Sequence, residues 1–93
     1  MRFEWDASKN AFNIRKHGVD FNDAVNVFNG AMYTAYDGRE DYGEDRWLLV
    51  GWCQGALTAV VYTIRGDGAS LRMISARTAT KMERRHYEQG IRE

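Results

Sequence analysis

Two apolar runs constrain this chain more than any other feature: Leu57-Thr58-Ala59-Val60-Val61-Tyr62-Thr63-Ile64-Arg65 and Leu71-Arg72-Met73-Ile74-Ser75-Ala76-Arg77. Gly66-Asp67-Gly68-Ala69 lies between them. β-branched and aromatic residues on either side of Asp-Gly specify a β-hairpin closed by a two-residue turn. Each run also carries arginine. A guanidinium on a sheet has to reach water, a carboxylate or a phosphate, so one face of this hairpin is not plain core.

The turns predict a register. With Asp67-Gly68 as the turn, Thr63 lies opposite Arg72 and Arg65 opposite Ser70. Gln54-Gly55, after a strand over 46–53, is a second tight turn. It sets Arg46 opposite Thr63 and Glu44 opposite Arg65. Directly opposed residues share a sheet face. Arg46, Thr63 and Arg72 are therefore expected as a row across three strands, with Glu44 and Arg65 one step along. The other face collects Trp47, Leu49, Val60, Tyr62, Ile64, Leu71 and Met73, a core surface for helices. Farther along, the arginine face turns apolar through Val50, Ala59, Val61, Ile74 and Ala76. Strict alternation sends Arg77 to the opposite face from Arg72, so Arg77 joins the patch only where the strand has ended. A bulge would move a charge across the sheet.

The rest of the chain supplies the helices. A short strand over 3–5 precedes Asp6, which caps a helix over 7–16 that Gly18 closes in the left-handed conformation. Ala7, Ala11, Ile14 and Gly18 fall on one seam of that helix, opposite Lys9, Asn13, Lys16 and His17. Asp20 caps a short helix whose buried face is Phe21, Ala24, Val25 and Phe28. A strand over 32–36 and a polar loop over 37–43 follow. Thr80 and Glu83 form a capping box for a helix over 81–89. The predicted order is β-α-α-β-β-β-β-α, an α+β fold with a central antiparallel sheet in a single domain over 1–93.

Composition limits what such a fold is for. Twelve aromatics in 93 residues favour a packed core over disorder. No apolar stretch reaches membrane-spanning length, and the opening residues do not read as a signal peptide. The lone Cys53 suits a reducing cytoplasm and a packed thiol. Net charge is zero, yet residues 57–93 hold seven Lys and Arg against four Asp and Glu, a mild basic bias in the arginine-bearing half. His17 and His86 have no ligand-spaced partners, so neither a metal nor another cofactor is expected. No phosphate-cradling glycine motif or nucleophile elbow is present.

What remains is an anion site. Guanidiniums that converge on a small area repel one another, and a phosphate between them relieves that. The plainer alternative is a Glu44–Arg65 ion pair among solvated arginines, worth roughly 0–1 kcal/mol. His17 is a candidate proton-transfer group, although cations in a last turn before glycine also suit an ordinary helix end. Lys9, Lys16 and Arg77 are candidate contacts for flanking phosphates. Tyr87 is a candidate phenol near substrate, or simply a packing residue one turn from Glu83.

The chain resembles a known family at these residues. Phe3-Glu4-Trp5-Asp6, Lys9 and Lys16-His17-Gly18-Val19-Asp20-Phe21 look like the N-terminal signature of BrnT-type toxins. Tyr42-Gly43-Glu44-Asp45-Arg46-Trp47, Val61-Tyr62-Thr63-Ile64-Arg65-Gly66, Arg72-Met73-Ile74-Ser75-Ala76-Arg77, Glu83 and Tyr87 continue it. The family often has proline after the first cap, where this chain has Ala7. The resemblance implies a RelE-like fold and a metal-independent ribonuclease toxin of a type II toxin–antitoxin pair. It would inhibit translation by cutting RNA, and a small BrnA-type antitoxin would neutralise it and make the DNA contacts. The expected catalytic set is Arg46, Arg65, Arg72, Glu44 and His17, with Lys9, Lys16, Arg77 and Tyr87 binding substrate. The rival reading is a non-catalytic module that docks a protein partner through the arginine-bearing face, its greasy end around Val61 and Ile74 included.

Overall fold

Asp6 and Gly18 delimit the first helix as the sequence indicates. The computed structural model describes residues 2–92. Asp6 Oδ1 accepts from Ser8 N and Lys9 N at 2.8 and 3.2 Å, and Gly18, at φ +73°, donates its N–H to Ile14 O at 2.8 Å. The elements in chain order are β1 (Arg2–Glu4), α1 (Ala7–His17), α2 (Phe21–Ala24), a 3₁₀ segment (Val25–Asn29), β2 (Met32–Tyr36), β3 (Trp47–Cys53), β4 (Ala56–Arg65), β5 (Ser70–Thr78) and α3 (Lys81–Arg92). This is a mixed α+β fold of five strands and three helices. The sheet runs β1-β5-β4-β3-β2. Its last four strands form an antiparallel meander, but β1 lies parallel to β5, which departs from the wholly antiparallel sheet expected. No helix among the described residues is long and apolar enough to cross a membrane.

Both tight turns have two central residues at positive φ, 49° and 80° at Gln54-Gly55 and 56° and 90° at Asp67-Gly68. That backbone matches the right-handed twist of the flanking strands and locks the register. Trp47 pairs with Tyr62, Thr63 with Arg72 and Arg65 with Ser70.

The register then breaks. Tyr62 pairs with Met73, but Val61 pairs with Ser75, so Ile74 is an extra residue on β5. A bulge of this kind flips the parity of everything beyond it. Ala76, expected on the arginine face, therefore points into the core and is fully buried. Arg77, expected on the opposite face from Arg72, instead pairs with Ala59 and shares the face of Thr63 and Arg72 while still inside β5.

The core lies mainly on one side of the sheet. Leu49, Val60, Tyr62, Leu71, Met73 and Ala76 pack there against Phe21, Ala24 and Val27. Phe3, Phe28 and Tyr62 form a run of tilted rings with centroids 5.2 and 5.3 Å apart. Ile64, expected in this core, sits at the strand end and is largely exposed. On the second face α3 covers the apolar end, and Tyr87 packs with Val50, Leu57 and Ala59.

Helix α1 packs through a face that its apolar periodicity does not mark. Ile14 is 41% exposed, whereas Asn10 and Asn13 point inward and are buried. Past Glu4, β1 no longer covers the outer edge of β5, and the Asn13 side chain takes its place. Asn13 Nδ2 donates to Ala76 O at 2.8 Å, and its Oδ1 accepts from Ala76 N at 3.1 Å. A second Nδ2 proton reaches Val19 O at 2.8 Å. Asn10 ties the next loop through Phe21 N and Asp20. Buried backbone groups need such partners, and an amide that both donates and accepts substitutes for a strand neighbour.

Candidate active site

The second face holds the site, in rows set by strand register. One row runs Arg46, Thr63, Arg72 and, across the parallel pair, Glu4. Arg46 falls just before β3: Asp37 N donates to its O at 2.8 Å, extending the β2–β3 ladder one step, and the register that sets Trp47 opposite Tyr62 brings it beside Thr63. Thr63 Oγ1 donates to Asp45 O at 2.6 Å and so fastens the loop before β3 to the centre of the sheet. Alongside lies a row of Arg65, Ser70 and Arg2, where Arg2 Nη2 contacts Ser70 Oγ at 3.2 Å.

Glu44 links two of the expected arginines, reaching Arg46 Nε at 3.3 Å and Arg65 Nη2 at 3.4 Å. The Arg46 guanidinium also lies over the Tyr42 ring, 4.0 Å from its centroid. One Glu44 oxygen and the face of the Tyr42 ring together restrain the Arg46 guanidinium. Arg72 differs. Among the described residues no carboxylate forms an ion pair with it. Its charge stands half-buried on the sheet.

Two further arginines enter the same face. Arg77 makes a two-pronged pair with Glu83 of α3 at 2.7 and 2.9 Å. Glu83 is itself fixed by the capping box, accepting from Thr80 N at 2.9 Å while its own N–H donates to Thr80 Oγ1 at 3.2 Å. Arg39 makes the same two-pronged contact with Asp37, at 2.8 Å twice, and the Asp37 side chain is only 3% exposed. The two pairs flank a pocket of about 160 Å³ floored by Leu48. By sequence Asp37 and Arg39 belong only to a polar loop over 37–43. The Asp-Gly-Arg spacing that lets the arginine fold back on the aspartate was the available signal.

Arg77 holds the Glu83 carboxyl below its ordinary range by hydrogen bonding, and Glu83 raises Arg77 in turn. A depressed carboxylate contributes stability that is fully present above its unfolded value near 4.5 and is lost as pH falls through the folded value. Asp37, lowered by its bond to Arg39, acts in the same direction. Melting temperature followed from pH 7 to pH 3 is therefore expected to fall more steeply for the native chain than for Glu83→Gln. Parallel curves would show that the pair adds nothing to folding.

The remaining candidates fall elsewhere. Lys9, Lys16 and His17 line one cleft with Ser75, which pairs with Val61 on the arginine face. His17 thus stands at the β5 edge rather than in the arginine row. Tyr87 is 7% exposed and belongs to the apolar cluster beneath α3, so it packs on the apolar end of the face and not beside the arginines. Burial pushes the Cys53 thiol up, consistent with a packed residue. The apolar end of the face is occupied too: α3 covers Val50 and Ala59, and Val61 is buried.

No curated protein matches the chain. A family model does, over residues 5–83, a span that runs from the first cap to Glu83 and includes Glu44 and all five arginines from Arg39 to Arg77. The chain therefore belongs to the ribonuclease toxins, BrnT, of type II toxin–antitoxin systems, a membership that implies an RNA target and an antitoxin partner.

Proposed function

We propose that this single toxin domain is a metal-independent endoribonuclease of RelE-like fold. It would act in the cytoplasm, halt translation by cutting RNA, and be neutralised by a BrnA-type antitoxin that carries the DNA contacts. The observation that carries this reading is Arg72. It is a guanidinium with no carboxylate partner among the described residues, in the same sheet row as a clamped Arg46 and beside Arg65.

RNA supplies its own nucleophile. The 2′-oxygen loses its proton and attacks the adjacent phosphorus; the bond from phosphorus to the 5′-oxygen breaks, and that oxygen takes up a proton. The products are a 2′,3′-cyclic phosphate and a 5′-hydroxyl. The protein's task is to stabilise the charge gathered on the phosphorane and to move two protons. Arginines stay charged throughout and bind phosphate oxygens through paired donors, and preorganised donors need no rearrangement as charge develops. Arg72 takes the scissile phosphate, and Arg46 and Arg65 stand beside it. Glu44 has both oxygens engaged by arginines, which suits an orienting role better than that of a base. His17 is the proton-transfer candidate left once Tyr87 is buried. Lys9, Lys16 and Arg77 hold neighbouring phosphates.

The chemistry is tested on purified protein and RNA in EDTA. Cleavage should persist, and mass spectrometry should find cyclic phosphate and 5′-hydroxyl ends. A strand with 2′-deoxyribose at the cut position should resist. Dependence on added magnesium, or 3′-hydroxyl products, would sink the mechanism.

A further inference from the structure

We propose that the cleft between α1 and the β5 bulge is a second nucleotide subsite. In it the exposed ring of Phe12 stacks on a base of single-stranded RNA, while Lys9 and Lys16 take the phosphates on either side. The inference rests on the reading of the arginine face as the cleavage site.

The cleft encloses about 260 Å³ between Lys9, Phe12, Lys16 and His17 on the helix and Ile74 and Ser75 on the strand. Phe12 is 56% exposed, and Lys16 Nζ lies 5.7 Å from its ring centroid. Solitary exposed apolar residues are ordinary on protein surfaces. Phe12 differs because the groups around it are those that hold single strands: an aromatic platform with cations beside it. Between Ala7 and His17 the helix carries Lys9, Arg15 and Lys16 and no carboxylate, in a chain whose overall charge is zero. That local excess points to a polyanion.

The cleft is also continuous with the arginine face. Ile74, the residue the bulge leaves unpaired, gives it an apolar wall. Ser75, its next residue, shares the face of Thr63 and lies on β5 between Arg72 and Arg77. RNA leaving the scissile phosphate across β5 at Ser75, between β1 and the Asn13 contact, enters the cleft directly. A protein partner fits less well. Successive helical residues turn by about 100°, so Phe12 and Ile14 point to nearly opposite sides and form no continuous apolar stripe for a docking helix.

Binding is measured by fluorescence anisotropy with a labelled RNA octamer whose riboses are all 2′-O-methylated, which removes the nucleophile and prevents cutting. Phe12→Ala is expected to weaken binding about tenfold, the range found when a stacking aromatic is truncated. Phe12→Trp should restore it, with indole emission quenched by RNA. Lys16→Ala should lower the slope of log affinity against log salt by about one ion. Affinity within twofold of the native chain for Phe12→Ala overturns the subsite, as does Phe12→Trp binding no better than Phe12→Ala while its circular dichroism is native. If Phe12→Ala binds RNA normally but escapes its antitoxin on co-expression, the cleft belongs to the protein partner and the proposal falls. Failure of the underlying reading looks different: Arg72→Ala then cuts RNA at the native single-turnover rate, whatever Phe12 does.

Discussion

Arg72→Ala is expected to lower single-turnover RNA cleavage by about 10²–10³-fold, the loss that follows removal of one preorganised donor from a developing oxyanion. Cells producing the variant without antitoxin should grow, whereas those producing the native chain should arrest. The size of the effect follows from what surrounds the residue. Arg46 and Arg65 share Glu44, so part of their charge is already answered. Arg72 has no such partner among the described residues, and its truncation removes a whole uncompensated charge from the face. For the same reason the variant should fold at least as well as the parent. Its melting temperature should be unchanged or slightly higher, because no ion pair is lost and repulsion with its neighbours is relieved. Arg72→Lys keeps the charge and loses the two-pronged geometry, so partial recovery is expected. Native cleavage by Arg72→Ala, with the melt unchanged, would remove this residue from the site.

The second large effect concerns stability. Asn13→Ala should cost about 3 kcal/mol, because it strips the buried N–H and C=O of Ala76 and the carbonyl of Val19 of their partner at once. In a domain of this size that corresponds to a fall in melting temperature on the order of 15 °C. Asn13→Asp keeps an acceptor for Ala76 N but turns a buried carboxylate oxygen toward the carbonyls of Ala76 and Val19, so it should cost at least as much as Asn13→Ala. A loss below about 1 kcal/mol for Asn13→Ala would mean that water replaces the amide at the sheet edge. Activity should suffer with stability, since the peptide that Asn13 holds lies between Ser75 and Arg77.

These two residues also mark where the fold could be read from the sequence and where it could not. The place of Arg72 opposite Thr63 is legible because turn chemistry is local: two residues at positive φ on either side of β4 fix three strands, and the Glu44–Arg65 contact follows. The bulge left no comparable mark. Ile74 is as good a strand residue as its neighbours, and nothing in its identity announces that β5 gains a residue there. The error carried onward to Ala76 and Arg77. Helix α1 misled for another reason. Apolar spacing puts Ala7, Ala11 and Ile14 inward, but the sheet edge beside the helix exposes a backbone, and polar Asn10 and Asn13 serve it better than any aliphatic side chain. That need arises from residues more than sixty positions away, beyond the reach of periodicity. Tyr87, a substrate contact by sequence, is carried by α3 into the apolar cluster with Val50, Leu57 and Ala59, a placement that depends on how the helix docks.

The parallel pairing of β1 with β5 has a consequence for how the protein is made. Arg2–Glu4 leaves the ribosome well before Ser70–Arg72 and has no sheet partner until that segment follows. Pairings this distant in sequence close late, because the intervening chain must first surrender its freedom. The meander of β2, β3 and β4 can form ahead of them from neighbouring segments. Arg72 and the α1 contact to Ala76 both belong to the part that waits. Nascent chains that stop short of Ser70 therefore lack the whole of the arginine row's outer half, and the arginine face is assembled only once β5 has emerged.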